Sequence, residues 1–263
     1  MRYLKIVSVV FFTLLFSSQM VSADVGIIVA LTSTFEHFSQ KIENRKLETR
    51  TGREFLSGTI RAVPVVLVRS PMGKVNNAIT AQILLCSYHI DSVISISPAG
   101  AISDDLIIGD GVIATEAYQH DFGTIAPYGF IWNRVPDGTS NEEPGYHALD
   151  EKWRKSFSSC FETIRKPENK LVSGIIVSGD QFISSQEKRK WLGKKFKASA
   201  VDMGAAAIAL VCYENRIPVS ILRIITDKAG VGARADFGRS ASAYQSDLDI
   251  MGLVECALSR NQK

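Results

Sequence analysis

Apolar runs of β-strand length alternate along the chain with stretches that have the length and pattern of helices. The first run, Val25 to Leu31, holds no polar side chain and is typical of a strand buried on both faces. Strands that alternate with helices need crossover connections, which make the core sheet mainly parallel. The sequence therefore predicts one three-layer α/β domain. The further strands are expected at 47–50, 54–61, 63–69, 92–97, 111–117, 171–178, 200–203 and 219–226, and the helices at 34–43, 73–88, 149–164, 185–196, 205–215 and 240–259.

The first 23 residues have the composition of a secretion signal rather than of a folded domain. Arg2 and Lys5 precede an almost unbroken apolar run, and Val21-Ser22-Ala23 supplies small residues where a signal peptidase reads. The run is too short to span a bilayer comfortably, although an uncleaved membrane anchor is the alternative. We expect residues 1–23 to be removed near Ala23 and residues 24–263 to form a single domain. The mature protein is then periplasmic or secreted, with no stable membrane insertion.

The charge balance argues against a nucleic-acid partner. The whole chain carries a net charge of +3, and the leader contributes two positive charges and no negative ones. A mature chain this close to neutrality lacks the excess of Lys and Arg that attracts polyanions.

Four cysteines and four histidines are present, and none shows the spacing of a metal site. The pair His120-Asp121 is the only suggestive histidine context. Buried free thiols are the favoured interpretation of the cysteines, because free Cys behaves as a small hydrophobic residue. A disulfide between Cys160 and Cys256 is the alternative, since an exported protein meets an oxidising compartment. No metal and no organic cofactor is expected.

Residues that can bind a ligand follow the carboxyl ends of predicted strands, where open α/β sheets hold their ligands. Asp227 follows an apolar strand, where burial raises the pKa of a carboxyl enough for a general acid. Phe182 can stack on a planar ring, Met203 can line an apolar pocket, and Gly100 lets backbone approach a ligand. The alternatives are a helix cap for Asp227 and core positions for Phe182 and Met203. The residues alone therefore predict a site for a small, partly aromatic molecule.

Seven short motifs occur in an order that one known family shares. They are Gly26 to Leu31, Lys41 to Arg45, Gly73 to Asn76, Ala99 to Ala101 with Gly109-Asp110, Val177 to Ile183, Val201 to Ala205, and Arg223 to Asp227. In these motifs the chain resembles the bacterial 5′-methylthioadenosine/S-adenosylhomocysteine nucleosidases of the nucleoside phosphorylase superfamily. The resemblance covers almost all of the mature chain and implies a three-layer α/β/α sandwich with a mixed central sheet.

The resemblance implies hydrolysis of the N-glycosidic bond of a purine nucleoside through an oxocarbenium-like state, without a cofactor. The acid that protonates the departing adenine falls on Asp227. The phenylalanine that stacks on the base falls on Phe182, and the backbone that reads the adenine edge falls on Ile183. The other matching substrate-binding positions are Ala99, Gly100, Val201, Met203, Arg223 and Phe237.

Three positions depart from the family pattern, and all belong to the sugar or the attacking water. The glutamate that activates the water falls on Thr34, the glutamate that grips the ribose hydroxyls on Gly204, and a serine near the sugar on Pro98. Loss of general-base catalysis typically costs about 10²–10⁴ in rate. Loss of the ribose carboxylate removes hydrogen bonds worth roughly 1.5–3 kcal/mol. Neither Glu36 nor Asp202 is a good substitute, because each is expected to point to the opposite face of its element.

Three functions are compatible with this pattern. The favoured one is an exported nucleosidase for a methylthioadenosine- or adenosylhomocysteine-like compound, with reduced activity. The others are a catalytically impaired purine or nucleoside binding protein, and a structural or storage protein. The resemblance also implies a homodimer in which a loop of one subunit closes the other's site. The aperiodic, aromatic-rich segment 118–144 is the candidate for that loop, and a surface loop is the alternative.

Overall fold

A computed structural model of the chain describes residues 25–133, 146–147, 151–243 and 249–261. The predicted leader lies outside the described residues, as does the stretch 134–144 of the long aperiodic segment. Among the residues described, no helix is both long enough and apolar enough to span a bilayer. The strands are β1 (Val25–Val29), β2 (Glu43–Arg50), β3 (Arg53–Ile60), β4 (Val63–Arg69), β5 (Ser92–Ala101), β6 (Gly111–Gln119), β7 (Gly123–Ala126), β8 (Gly129–Trp132), β9 (Tyr146–His147), β10 (Leu171–Ser178), β11 (Ala198–Asp202) and β12 (Val219–Asp227). The helices are α1 (Thr32–Lys41), α2 (Lys74–Ser87), α3 (Glu151–Ile164), α4 (Gln186–Phe196), α5 (Ala205–Glu214), α6 (Ala233–Ala243) and α7 (Ile250–Asn261).

The central sheet is mixed, as the resemblance implies. Its order is β11-β10-β6-β12-β5-β1-β4-β3-β2. Strand β1 is parallel to both β4 and β5, and β12 is parallel to β5 but antiparallel to β6. Strands β2, β3 and β4 form an antiparallel meander. The end of β5 also pairs with β11, so that β5, β12, β6, β10 and β11 close on one another.

Helices cover both faces of this sheet, which confirms the three-layer arrangement. Helices α2 and α5 pack on one face through a cluster that includes Leu84 and Ile208. Helices α1, α3 and α7 pack on the other through Phe38, Phe157 and Leu253. Every residue of β12 is buried, because both faces of this strand are covered.

The interpretation of all four cysteines as buried free thiols is wrong. Cys160 on α3 and Cys256 on α7 form a disulfide with their Cα atoms 5.9 Å apart. The two helices pack side by side on the same face of the sheet, and this brings residues 96 positions apart within bonding reach. Cys86 is free but exposed. Cys212 is free and buried, and burial raises the pKa of its thiol to about 12.

Two predictions of local structure are also wrong. The described part of segment 118–144 is not an aperiodic loop, because β7 and β8 form a two-stranded hairpin there. Trp132 anchors the hairpin by edge-on contacts with Tyr118 and Phe196. The single helix predicted at 240–259 is instead two helices, α6 and α7. Asp249 starts the second one, because its carboxylate accepts a hydrogen bond from the backbone N–H of Gly252 at 2.7 Å.

Candidate functional site

A cavity of about 130 Å³ lies where the carboxyl ends of β1, β5, β11 and β12 meet. Strands β1, β5 and β12 are parallel and end at the same edge of the sheet, and β11 joins them by antiparallel pairing with the end of β5. Residues distant in sequence are therefore brought to one wall. Its wall contains most of the positions proposed from the sequence, although Thr34 is not among its described lining residues. Those that line it are Pro98, Ala99, Gly100, Phe182, Ile183, Val201, Met203, Gly204, Arg223, Asp227 and Phe237.

Asp227 is a carboxyl group of this wall that is buried and has a raised pKa. It is only 3% exposed, and its Oδ1 accepts a hydrogen bond from the backbone N–H of Ala229 at 2.8 Å. Burial raises its pKa above the ordinary value, against the opposing effect of the hydrogen bonds from Ala229 and Thr226. A Cβ at position 100 would lie 2.7 Å from Asp227 Oδ1, so the glycine at this position lets the strands hold the acid. The arrangement suits a group that gives a proton to a ligand.

Aromatic side chains lie at the same cavity. The rings of Phe182 and Phe237 meet edge to face, with centroids 5.9 Å apart. The guanidinium of Arg234 lies 5.2 Å from the centroid of the Phe182 ring. Phe182 is half-buried, whereas Ile183 beside it is buried. The wall therefore offers a partly exposed ring on which a flat heterocycle can stack.

A polar cross-link holds the segment that carries Phe182 against the start of α2. Lys74 Nζ donates to Asp121 Oδ1 at 2.6 Å, and Asp121 Oδ2 accepts from the backbone N–H of Asp180 at 2.8 Å. Asp180 Oδ1 in turn accepts from the backbone N–H of Lys74 at 2.7 Å. Burial opposes ionisation of Asp121, but its bonds to Lys74 and Asp180 outweigh burial and lower its pKa. Asp180 thus serves the N-terminus of α2 and fixes the loop before Phe182.

Comparison with known proteins identifies the family. A family model described as the phosphorylase superfamily matches residues 24–251. A 5′-methylthioadenosine/S-adenosylhomocysteine nucleosidase of Bacillus cereus (strain G9842) is 34% identical over 215 residues, which cover 81% of this chain and 89% of the relative. A nucleosidase of the same name from Shewanella piezotolerans is 31% identical over 234 residues, or 88% and 98% of the two chains. The chain belongs to the 5′-methylthioadenosine/S-adenosylhomocysteine nucleosidase family.

Solved structures of this nucleosidase family share the fold. The enzyme of Colwellia psychrerythraea in complex with adenine is 25% identical, with a TM-score of 0.78 over 92% of this chain and 96% of that chain. The enzyme of Neisseria meningitidis in complex with methylthio-immucillin-A is 28% identical, with a TM-score of 0.77 over 89% and 98%. The likeness extends over nearly all of each solved chain.

In this nucleosidase-family chain, Arg223 is held by a buried ion pair that the sequence did not reveal. Its Nε donates to Asp202 Oδ2 at 2.6 Å, and its NH1 donates to the backbone and hydroxyl oxygens of Ser95. Asp202 also accepts from the backbone N–H groups of Gly204 and Ala205 and from the hydroxyl of Ser178. Its carboxylate is therefore committed to Arg223 and to the start of α5, and is not free to replace the glutamate absent at position 204.

The two replaced carboxylate positions of the nucleosidase pattern differ in their surroundings. Thr34 is 2% exposed on α1, and the cavity wall on that side contains Ala30 and Leu31. Gly204 lies in the wall at the start of α5, against the side chain of Asn77. Asn77 lines the cavity as well, although no sequence pattern singled it out. Within the described ranges, no group of three His, Cys, Asp or Glu side chains could hold a metal ion.

Proposed function

We propose that the chain is an exported nucleosidase that hydrolyses the N-glycosidic bond of a methylthioadenosine- or adenosylhomocysteine-like purine nucleoside, with reduced activity. The proposal depends on one observation: Asp227 is a buried acid with a raised pKa in a cavity that is also lined by Phe182. Family membership supports the reaction class, because the relatives are nucleosidases.

In the proposed reaction, the base stacks on Phe182 and the backbone at Ile183 contacts its edge. Asp227 gives its proton to a ring nitrogen of the base as the N-glycosidic bond breaks and the sugar becomes oxocarbenium-like. Water adds to the anomeric carbon, and its surplus proton passes to solvent. The reaction consumes one water and needs no cofactor.

The reduced rate is expected because no free carboxylate other than Asp227 lies among the described lining residues of the cavity. Thr34 is a hydroxyl, and a neutral hydroxyl does not take a proton from water near neutral pH. Among the described lining residues, the carboxylates are Asp202 and Asp227, and Asp202 is committed to Arg223. We therefore expect a rate about 10²–10⁴ below that of a relative with a general base.

Release of free base from a panel of nucleosides tests this function. Methylthioadenosine, adenosylhomocysteine, adenosine and inosine are incubated with the mature protein, and the free base is quantified by chromatography. Asp227→Asn should lower the rate of release at least about 10²-fold, because an amide N–H is not acidic enough to protonate the departing base. Asp105→Asn is the matched control, since Asp105 is an exposed carboxylate that is not among the described lining residues. Equal release by the wild type and Asp227→Asn would reject the proposed acid.

A second candidate function is a purine-binding protein without turnover. This function is favoured because Thr34 and Gly204 replace both carboxylates of the family pattern, whereas the residues on the base-binding side of the cavity match that pattern. Calorimetric titration with adenine and methylthioadenosine then gives binding, while the assay for free base stays at the level of Asp227→Asn. A silent titration with both compounds would reject this function and leave the structural or storage role.

Export is part of the proposal and is supported by two independent features. The leader-like segment 1–23 precedes the domain, and the Cys160–Cys256 disulfide requires an oxidising compartment to persist. Fractionation of bacteria that express the full chain tests it, together with N-terminal sequencing of the product. We expect a periplasmic or secreted protein that begins at Asp24. A cytoplasmic protein that retains residues 1–23 would contradict export.

We also propose that the protein is a homodimer. Two groups of exposed apolar side chains support this: Ile125 and Tyr128 on the hairpin, which are 81% and 83% exposed, and Met72 and Val75 beside the cavity at the start of α2. Contact with a second copy removes such a surface from water. Light scattering of the mature protein should give twice the mass of one chain, and a monomer mass at micromolar concentration would contradict the proposal.

A further inference from the structure

The space that a side chain at position 204 would need is filled by another residue. A Cβ on Gly204 would lie 2.5 Å from both Cγ and Nδ2 of Asn77, and 2.7 Å from its Oδ1. These distances are shorter than any ordinary contact between non-bonded carbon and amide atoms. The amide of Asn77, on α2, therefore lies against the bare backbone at the start of α5, and both residues line the cavity.

Hydrogen bonds fix which atom of this amide is left for a ligand. Nδ2 donates to the carbonyl of Gly73 at 2.8 Å and to the carbonyl of Pro71 at 3.3 Å. Carbonyl oxygens only accept, so the nitrogen must face them and both of its hydrogens are used. Among the described residues, Oδ1 accepts no hydrogen bond, and the side chain is half-buried rather than sealed off. Asn77 thus offers a neutral acceptor at the cavity.

The two carboxylates among the described lining residues leave a role for this acceptor. Asp202 is committed to Arg223 and to the start of α5, and Asp227 is needed at the base. A sugar hydroxyl that enters the cavity can donate a hydrogen bond and needs an acceptor there. We propose that Asn77 is a specificity-determining residue that accepts a hydrogen bond from a hydroxyl of the substrate's sugar. The proposal rests on the proposed function, because it requires a nucleoside in this cavity.

The expected effect is a preference for ribosyl over deoxyribosyl nucleosides. A hydrogen bond between neutral groups at a half-buried site changes affinity by about 2- to 10-fold. The decisive readout is the ratio of kcat/KM for adenosine to that for 2′-deoxyadenosine or 3′-deoxyadenosine. This ratio does not depend on the fraction of protein that is folded, so a merely structural role of Asn77 does not move it.

The experiment compares Asn77→Ala with Asn76→Ala. Asn76 is a neighbour on the same helix whose amide bonds Met72 and Arg53 and which is not among the described lining residues. We expect Asn77→Ala to lower the ratio for one of the deoxy sugars by about 2- to 10-fold and Asn76→Ala to leave it unchanged. Ratios that stay unchanged in Asn77→Ala for both deoxy sugars would overturn the proposal.

If the wild type releases no base, the proposed reaction fails, and the same ratios are taken from calorimetric dissociation constants. They then test Asn77 independently of turnover. Loss of the preference in Asn77→Ala supports the role, and an unchanged preference overturns it. Titration with adenine alone is the control, because adenine has no sugar and Asn77→Ala should bind it like the wild type.

A double variant tests the shared space directly. Gly204→Glu alone should lower the melting temperature, because its side chain collides with Asn77. In the Asn77→Ala background, Gly204→Glu should not cause this loss of melting temperature, because the colliding amide is gone. The ribose preference of the double variant should exceed that of Asn77→Ala, since a carboxylate then occupies the vacated volume. Equal destabilisation by Gly204→Glu in both backgrounds would contradict the inference that Asn77 fills the space of a side chain at position 204.

Discussion

Acidification from pH 7 to pH 5 should destabilise the protein through one side chain, His120. Its ring is fully buried, and neither ring nitrogen has a hydrogen-bond partner among the described residues. Burial lowers its pKa to about 4; the nearby Asp121 opposes this shift, and Lys188 adds to it. The native state therefore holds the imidazole neutral at pH values where an unfolded chain protonates it.

The magnitude follows from the two pKa values of this histidine. An unfolded histidine titrates near 6.5 and the native one near 4, so between these values the unfolded state binds the extra proton. The stability is fully present above pH 6.5 and is lost as the pH falls towards 4. At about 1.4 kcal/mol per pKa unit, the total loss is about 3 kcal/mol, of which about 2 kcal/mol falls between pH 7 and pH 5.

Urea unfolding of the wild type and of His120→Asn at pH 7 and pH 5 measures this contribution. Other groups that titrate in this range act in both proteins, so the difference between their pH dependences isolates His120. We expect the loss of unfolding free energy on acidification to be about 2 kcal/mol smaller in His120→Asn. His89→Asn is the control, because that imidazole is largely exposed. The same pH dependence in the wild type and His120→Asn would show that His120 does not cause the loss of stability.

Three further predictions concern the disulfide, the acid and the hairpin. Cys160→Ser should lower the free energy of unfolding by about 2–5 kcal/mol, because the bridge closes a long loop; an unchanged urea midpoint would contradict this. The melting temperature of Asp227→Asn relative to the wild type should fall as the pH is lowered, because burial raises the pKa of the wild-type carboxyl and its protonation then stabilises the wild type alone; a relative melting temperature that rises on acidification would contradict it. Ile125→Asp should convert the proposed dimer to a monomer in light scattering while Leu47→Asp, also at an exposed apolar position, does not; a dimer in both variants would contradict the proposed interface.

Strands that are buried on both faces could be predicted from the sequence, and the hairpin could not. The run at Val25–Val29 carries no polar side chain because helices cover both faces of the sheet there. Val219–Asp227 is buried along its whole length, with apolar residues at five of its nine positions. The hairpin strands Gly123–Ala126 and Gly129–Trp132 are short and mostly exposed, so no apolar alternation marks them. Their two-residue connection, Pro127-Tyr128, also lacks the Asn-Gly type of signal that favours such a turn.

The site was predictable where it depends on strand ends, and unpredictable where it depends on packing between helices. Asp227 and Gly100 end neighbouring parallel strands, so a shared wall followed from the order of elements. The contact between Asn77 and Gly204 joins α2 to α5 and leaves no local motif in either segment. Cysteine pairing failed for the same reason, because only the side-by-side packing of α3 and α7 brings Cys160 to its partner.

Hydrolysis of methylthioadenosine in ¹⁸O-labelled water, followed by mass spectrometry of both products, tests whether the chain is a nucleosidase that works through Asp227. We expect free adenine and a methylthioribose that carries one ¹⁸O, formed over many turnovers by the wild type. Asp227→Asn should slow this at least about 10²-fold, the scale of general-acid catalysis. The absence of labelled sugar, or its formation at the same rate by Asp227→Asn, would contradict a nucleosidase that works through this buried acid.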